Sequence, residues 1–153
     1  MRTLMIAASS LVLAASLPPA ASAQNGHFVG QQDCEGDGLA VTCEGKVAGL
    51  GSETFNIVVT ADASATVECT NPGGNVAPGQ SFDYVAEGAT GEMETPRNGS
   101  YTYSISTDAP EAPADACPNG AWTAEVVDVE YGPATVSLYE GGALVDSVTL
   151  PVD

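Results

Sequence analysis

The chain is short of positive charge: it has three Lys and Arg residues against 20 Asp and Glu residues, a formal charge of −17. So acidic a protein repels the phosphates of nucleic acids and the headgroups of anionic lipids, which argues against binding to either. A cationic partner, a bound cation or a salty environment would suit it, because each offsets or screens the repulsion among the acids. Solubility is the simplest interpretation of the acidity, and adaptation to high salt is another.

Catalytic and metal-binding signatures are also scarce. His27 is the only histidine and no C-x-x-C pair occurs, so a serine triad and a zinc site both lack residues that they need. Neither a G-x-S-x-G elbow nor a phosphate-binding glycine loop is present. Acid pairs such as Glu125 with Asp128 are generic in a chain this acidic. We therefore expect no enzymatic activity and no cofactor, with a small hydrolase or metal-dependent enzyme that uses acidic residues as the alternative.

The N-terminus has the three parts of a secretory signal peptide. Met1-Arg2 is a short basic start, residues 4–17 are mostly apolar, and Ala21-Ser22-Ala23 is a small-residue cleavage site. The apolar stretch is too short to span a bilayer comfortably, and no later segment is long and apolar enough to do so. We predict a signal peptide at 1–23 and one secreted or periplasmic domain at 24–153. Cleavage removes one base and no acid, so the mature charge would be 2 − 20 = −18.

Four cysteines, an even number in an exported chain, predict two disulfide bonds. Three pairings are open. We favour Cys34 with Cys43, which closes a short local loop, and Cys69 with Cys117, which closes a long one.

Alternation of apolar and polar residues dominates the rest of the chain, and no segment has a sustained helical period. Phe55, Ile57 and Val59 share one strand face, and Ala65, Val67 and Cys69 share another. Two later segments alternate in the same way: Phe82, Tyr84 and Ala86, and then Tyr101, Tyr103 and Ile105. Turn sequences rich in Gly, Pro and Asn separate these segments. The pattern predicts an all-β domain, an immunoglobulin-like two-sheet sandwich of about 7–9 strands, with a small β-barrel as the alternative.

Three local features refine this prediction. The segment from Trp122 to Tyr131 changes phase near Val126-Val127, which indicates a bulge. Gly141-Gly142 lies between two alternating runs and predicts a tight hairpin. Trp122 is the expected large core residue.

One acidic segment has the spacing of a calcium-binding loop. Asp33, Glu35, Asp37, Gly38 and Glu44 follow the EF-hand pattern, except that Glu35 replaces the usual Asp or Asn. Oxygen donors at alternate positions and a glycine at the sharp turn are what Ca²⁺ needs. The flanking segments look extended rather than helical, and two cysteines lie inside the loop. A solvated disulfide loop is therefore the favoured interpretation, with calcium as the rival.

Three phrases of the mature chain resemble a group of small secreted bacterial β proteins of uncharacterised function. They are TCEGKVAGLG at 42–51, CTNPGGN at 69–75 and CPNGAWTA at 117–124. The resemblance implies a secreted β domain and carries over no catalytic residue.

These observations favour a secreted, acidic, disulfide-stabilised domain with a non-enzymatic binding or structural role. Its partner would be extracellular and, given the charge, cationic. Besides the hydrolase, a self-assembling fibre subunit is an alternative, in which the 24–33 arm or the Gly141-Gly142 hairpin adds a strand to a neighbour.

Overall fold

The computed structural model describes residues 25–153, and regular structure in this range consists of nine β-strands. They are β1 His27–Gly36, β2 Val41–Ala48, β3 Thr54–Thr70, β4 Val76–Pro78, β5 Phe82–Ala89, β6 Met93–Glu94, β7 Tyr101–Ser106, β8 Thr123–Glu140 and β9 Ala143–Leu150. The predicted signal peptide at 1–23 lies outside the described residues. Among the residues described, no helix has the length and apolar character required to cross a membrane.

The strands form two antiparallel sheets. One has three strands in the order β1-β2-β7, and the other has six, with β4-β3-β8-β9 as its path and β5 and β6 also paired to β3. Neither sheet closes on itself within residues 25–153. The domain is therefore a two-sheet sandwich, which confirms the predicted fold class, and the barrel alternative is wrong.

The centre of the larger sheet is a ribbon of two long strands, β3 and β8. They pair from Phe55 opposite Glu140 to Thr70 opposite Thr123, while the other edge of β3 takes β6, β5 and β4 in turn. The ribbon has two irregularities. One lies at Asp62, and the other lies where Val127 is the extra residue of β8. The bulge predicted from the phase change near Val126-Val127 is confirmed.

Alternating side chains build two separate cores along this ribbon. The first core lies between the three-stranded sheet and one half of the ribbon, and includes the predicted trio Phe55, Ile57 and Val59. The second core lies at the other half and includes the other predicted trio, Ala65, Val67 and Cys69. Trp122 only flanks the second core and stays partly exposed, so its prediction as the main core residue is wrong.

Both favoured disulfides are present. Cys34 and Cys43 are cross-strand partners on β1 and β2, with Cα atoms 4.1 Å apart. The second bond joins Cys69 of β3 to Cys117 in the long segment between β7 and β8. Two disulfides indicate an oxidising, extracytoplasmic compartment.

The hairpin between β8 and β9 confirms the turn prediction. Gly141 and Gly142 have φ angles of 55° and 82°. Two successive residues with positive φ make the type I′ turn that matches the twist of the flanking strands.

Candidate functional site

The outward side of β5, β3 and β8 is acidic. Its carboxylates alternate with inward apolar residues, so the strand period that buries one side of the sheet exposes the acids on the other. We call this surface the acidic face; all seven of its acids are exposed, and they are Asp62, Glu68, Asp83, Glu87, Glu125, Asp128 and Glu130.

The strand register orders these acids in rows across the sheet. Five successive outward positions of β3, at Thr60, Asp62, Ser64, Thr66 and Glu68, each define a row with at least one carboxylate. The rows run Glu87 with Thr60, Asp62 with Val85, Asp83 with Ser64 and Glu130, Asp128 with Thr66, and Glu68 with Glu125. Outward positions on one strand repeat about every 6.8 Å. The face is therefore a regular ladder of negative charge.

Positive charge lies elsewhere in the domain. β3, β5 and β8 contain no Lys or Arg. Lys46 lies on β2 in the other sheet, and Arg97 lies between β6 and β7. Directly opposed like charges such as Glu68 and Glu125 destabilise a sheet, so the ladder costs stability unless cations or salt offset it.

A depression of about 660 Å³ is lined both by residues of the acidic face and by inward residues of the same strands, Ala63, Tyr84 and Tyr131. It is lined by three consecutive residues from each of three strands, at 62–64, 83–85 and 130–132. Three of the lining residues are carboxylates, Asp62, Asp83 and Glu130, which we call the rim acids.

Two exposed apolar side chains accompany the acids. Val85 lines the depression and is 60% exposed, and Val127, at the bulge of β8, is 43% exposed. Water-exposed valines beside carboxylates offer a surface that attracts cations and also has apolar area to bury.

The opposite side of the same three strands is closed by two tyrosines. Tyr84 and Tyr131 flank Ala63 on neighbouring strands, and the Tyr84 hydroxyl donates to the Tyr131 hydroxyl at 3.5 Å. Burial, helped by the hydrogen bond and charge of Tyr84 and by the charge of Asp37, raises the pKa of Tyr131 above its ordinary value. The Tyr131 hydroxyl therefore stays protonated at neutral pH and acts as a packing and hydrogen-bonding group.

The predicted calcium motif forms a β-hairpin rather than a helix-flanked loop. Asp33 lies opposite Glu44 on β1 and β2, and Glu35 lies opposite Thr42. Glu44 Oε1 accepts a hydrogen bond from the Ser104 hydroxyl at 2.9 Å. Asp37 lies beyond the end of β1, where its charge acts on Tyr131. Within residues 25–153, no group of three or more His, Cys, Asp or Glu side chains is placed to hold a metal ion.

Sequence reasoning missed a buried carboxyl group. Glu140 is 0% exposed and accepts three backbone hydrogen bonds: from Gly51 at 2.7 Å and Ser52 at 3.0 Å on Oε1, and from Gly26 at 3.0 Å on Oε2. The sequence did contain a signal for this burial, because alternation places Glu140 on the same strand face as the apolar residues Ala134, Val136 and Leu138. All three apolar residues are buried. Glu140 thus holds the start of the described chain and the β2–β3 loop to the larger sheet.

A second missed group is the amide of Gln32. Residues 30–32 of β1 bulge opposite Gly45, and Gln32 Oε1 accepts hydrogen bonds from the Tyr103 hydroxyl and the Lys46 N–H, at 2.7 and 3.2 Å. Burial raises the pKa of Tyr103 to about 12. The bulge places the Gln32 side chain over Gly45, and no pattern in the sequence predicted the bulge.

The comparisons with known proteins assign no family. No family model, no curated protein and no solved structure matches the chain.

Proposed function

We propose that the protein is a secreted or periplasmic, non-enzymatic binding domain whose acidic face takes a cationic partner. The observation that carries the proposal is the ladder itself: five successive rows of carboxylates on strands that contain no Lys or Arg. Complementary charge raises the association rate and selects basic partners over acidic ones.

The arrangement of the acids supports binding over hydrolysis. The rim acids Asp62, Asp83 and Glu130 project from one side of one sheet, whereas a glycosidase places its two carboxyl groups on either side of the scissile bond. Acids spread over rows about 6.8 Å apart suit a partner that carries several positive charges, such as a Lys- and Arg-rich protein segment.

Export supports the same function. The predicted signal peptide, the two disulfides and the resemblance to small secreted bacterial β proteins all favour a site of action outside the cytoplasm. There the acidic face would meet soluble or surface-bound cationic partners directly.

The test is titration calorimetry of the mature protein with a lysine-rich peptide, at low salt and at about 0.15 M salt. The variant Asp83→Asn/Asp128→Asn/Glu130→Gln removes three charges from the acidic face. Its control, Asp33→Asn/Glu35→Gln/Glu44→Gln, removes three charges from the β1–β2 hairpin. We expect at least about tenfold weaker binding for the face variant, roughly 1.4 kcal/mol, and a much smaller change for the control.

Two results would contradict the proposal. One is no measurable binding of the peptide by the wild type at low salt. The other is an equal loss of affinity in both variants, which would mean that total charge rather than the acidic face determines binding.

A further inference from the structure

The first described residues cross from one sheet to the other. We call residues 25–29 the N-terminal arm. His27, Phe28 and Val29 pair with β2 of the three-stranded sheet. Two N–H groups of the arm instead donate to carboxyl groups of the six-stranded sheet, at 3.0 Å each: Gly26 to Glu140 of β8 and Phe28 to Asp146 of β9. The arm therefore fastens the two sheets together.

A hinge follows the arm directly. The register of β1 on β2 breaks between Val29 and Asp33, and Gly30 has a φ of +73°. A Cβ built on Gly30 would contact nothing within 4 Å, and one side-chain bond crosses the hinge, from Gln32 Nε2 to the Val29 carbonyl at 2.8 Å. Beyond it, the Cys34–Cys43 disulfide holds the remainder of β1 to β2. The arm can therefore lift as a unit while the rest of β1 stays in place.

The arm closes a strand edge. β1 is the outer strand of its sheet and β9 ends the path of the other. At the far end of β1, Asp153 covers the outer edge of β1, since it pairs through its backbone with Cys34 and Gly36. At the near end, within residues 25–153, the arm pairs with β2 at Lys46–Ala48, and Gln32 beyond the arm accepts a hydrogen bond from the Lys46 N–H. Lifting it would expose a short edge, and an uncovered edge is a template for another strand.

We propose that the N-terminal arm is a releasable strap, and that the arm of a second copy of this chain takes its place when it lifts. The second arm fits because it makes the same pairs to β2 and the same bonds to Glu140 and Asp146. Such reciprocal exchange of one element gives a closed dimer. In the unexchanged chain the arm pairs with its own β2, whereas in a fibre subunit the same arm would pair with β2 of a neighbour.

Gly30→Val tests the hinge. A β-branched residue disfavours positive φ, so the substitution straightens the bulge and directs the arm away from its own domain. Gly91→Val is a matched control, because Gly91 has the same φ of +73° and equally open surroundings but lies between β5 and β6. Light scattering after size exclusion should show a dimer for Gly30→Val that increases with concentration, and a monomer for Gly91→Val. Removing residues 24–29 from Gly30→Val should abolish the dimer.

Amide exchange of the wild type tests release independently and needs no variant to fold. The Gly26 and Phe28 amides should exchange faster than the Val59 amide of the first core, by on the order of a hundredfold or more, because the arm opens locally. Equal protection of the three amides would overturn the proposal. So would a monomeric Gly30→Val whose arm amides exchange as in the wild type, equal dimerisation of both valine variants, or a dimer that persists without the arm.

Discussion

The hydroxyl of Tyr103 donates a hydrogen bond of 2.7 Å to Oε1 of Gln32, 71 residues away in the sequence. The bond exists because Gly45 lies between them with no side chain. A Cβ on Gly45 would overlap Gln32 Oε1 and lie 2.6 Å from the Tyr103 hydroxyl. The bulge of β1, the glycine of β2 and the tyrosine of β7 therefore form one unit across the three-stranded sheet.

Gly45→Ala should therefore destabilise the domain. The added methyl group must displace the Gln32 amide or strain the sheet, and overpacking of this kind costs about 1–3 kcal/mol. Urea unfolding gives the free energy. Gly120→Ala is the control, because a Cβ there meets nothing within 4 Å, and it should change stability by less than about 0.5 kcal/mol. Equal stability of the two variants would mean that the Gln32 side chain moves aside freely.

Tyr103 should make the fold sensitive to alkali. Burial raises the pKa of Tyr103 from its ordinary 10.0 to about 12, so the folded state holds its proton more tightly than the unfolded chain does. The resulting stability is fully present below pH 10 and is lost as the pH rises towards 12. Urea midpoints measured from about pH 8 to about pH 12 should fall above pH 10, and less steeply in Tyr103→Phe. The same slope in both proteins would assign the effect to other groups, such as Tyr131.

The two disulfides should contribute unequally. Cys69 and Cys117 are 48 residues apart and Cys34 and Cys43 are nine apart. Chain entropy then predicts about 4 kcal/mol for the long loop and about 2.6 kcal/mol for the short one. Paired Cys→Ala variants compared by urea unfolding should follow that order, and alkylation of the native protein without reductant should label no cysteine. The reverse order would show that native packing around Cys34 and Cys43 outweighs loop length.

Salt should stabilise the domain. Like charges on the acidic face repel one another, and the Debye length falls from about 10 Å at 0.1 M to about 3 Å at 1 M. The melting temperature should rise with added NaCl, and it should rise less in the variant that lacks the Asp83, Asp128 and Glu130 charges. A flat curve for the wild type would indicate acids already compensated by bound cations.

Cleavage after Ala23 can be checked directly. Mass spectrometry of protein recovered from the medium or periplasm should identify Gln24, open or cyclised, as the first residue. An intact Met1 on membrane-bound protein would contradict export by this signal.

Period-two alternation in the sequence predicted which side of several strands is buried, but it did not predict that 54–70 and 123–140 each form one long strand. Phe55, Ile57 and Val59 are buried as predicted, and Gly141-Gly142 forms the expected turn. The favoured disulfide pairing, one of three that the sequence left open, is the one present.

The candidate site was harder to predict from the sequence, because it depends on the register between strands that are distant from one another in the sequence. Nothing local in the sequence sets Asp83 and Glu130 on either side of Ser64, and the β3–β5 and β3–β8 pairings do so only in the folded sheet. The converse case is the predicted calcium loop of Asp33, Glu35, Asp37 and Glu44. Its spacing along the chain matches the EF-hand pattern, but the segment forms a β-hairpin because the flanking residues favour strands.

The β3–β8 ribbon also constrains how the chain folds. Both cores are built on it, yet residues 71–122 separate its two strands, since β3 ends at Thr70 and β8 begins at Thr123. Neither core can be completed until nearly the whole chain is available. Folding dominated by such distant pairings is slow, on the order of milliseconds to seconds. A chain that lacks β8 can therefore complete neither core.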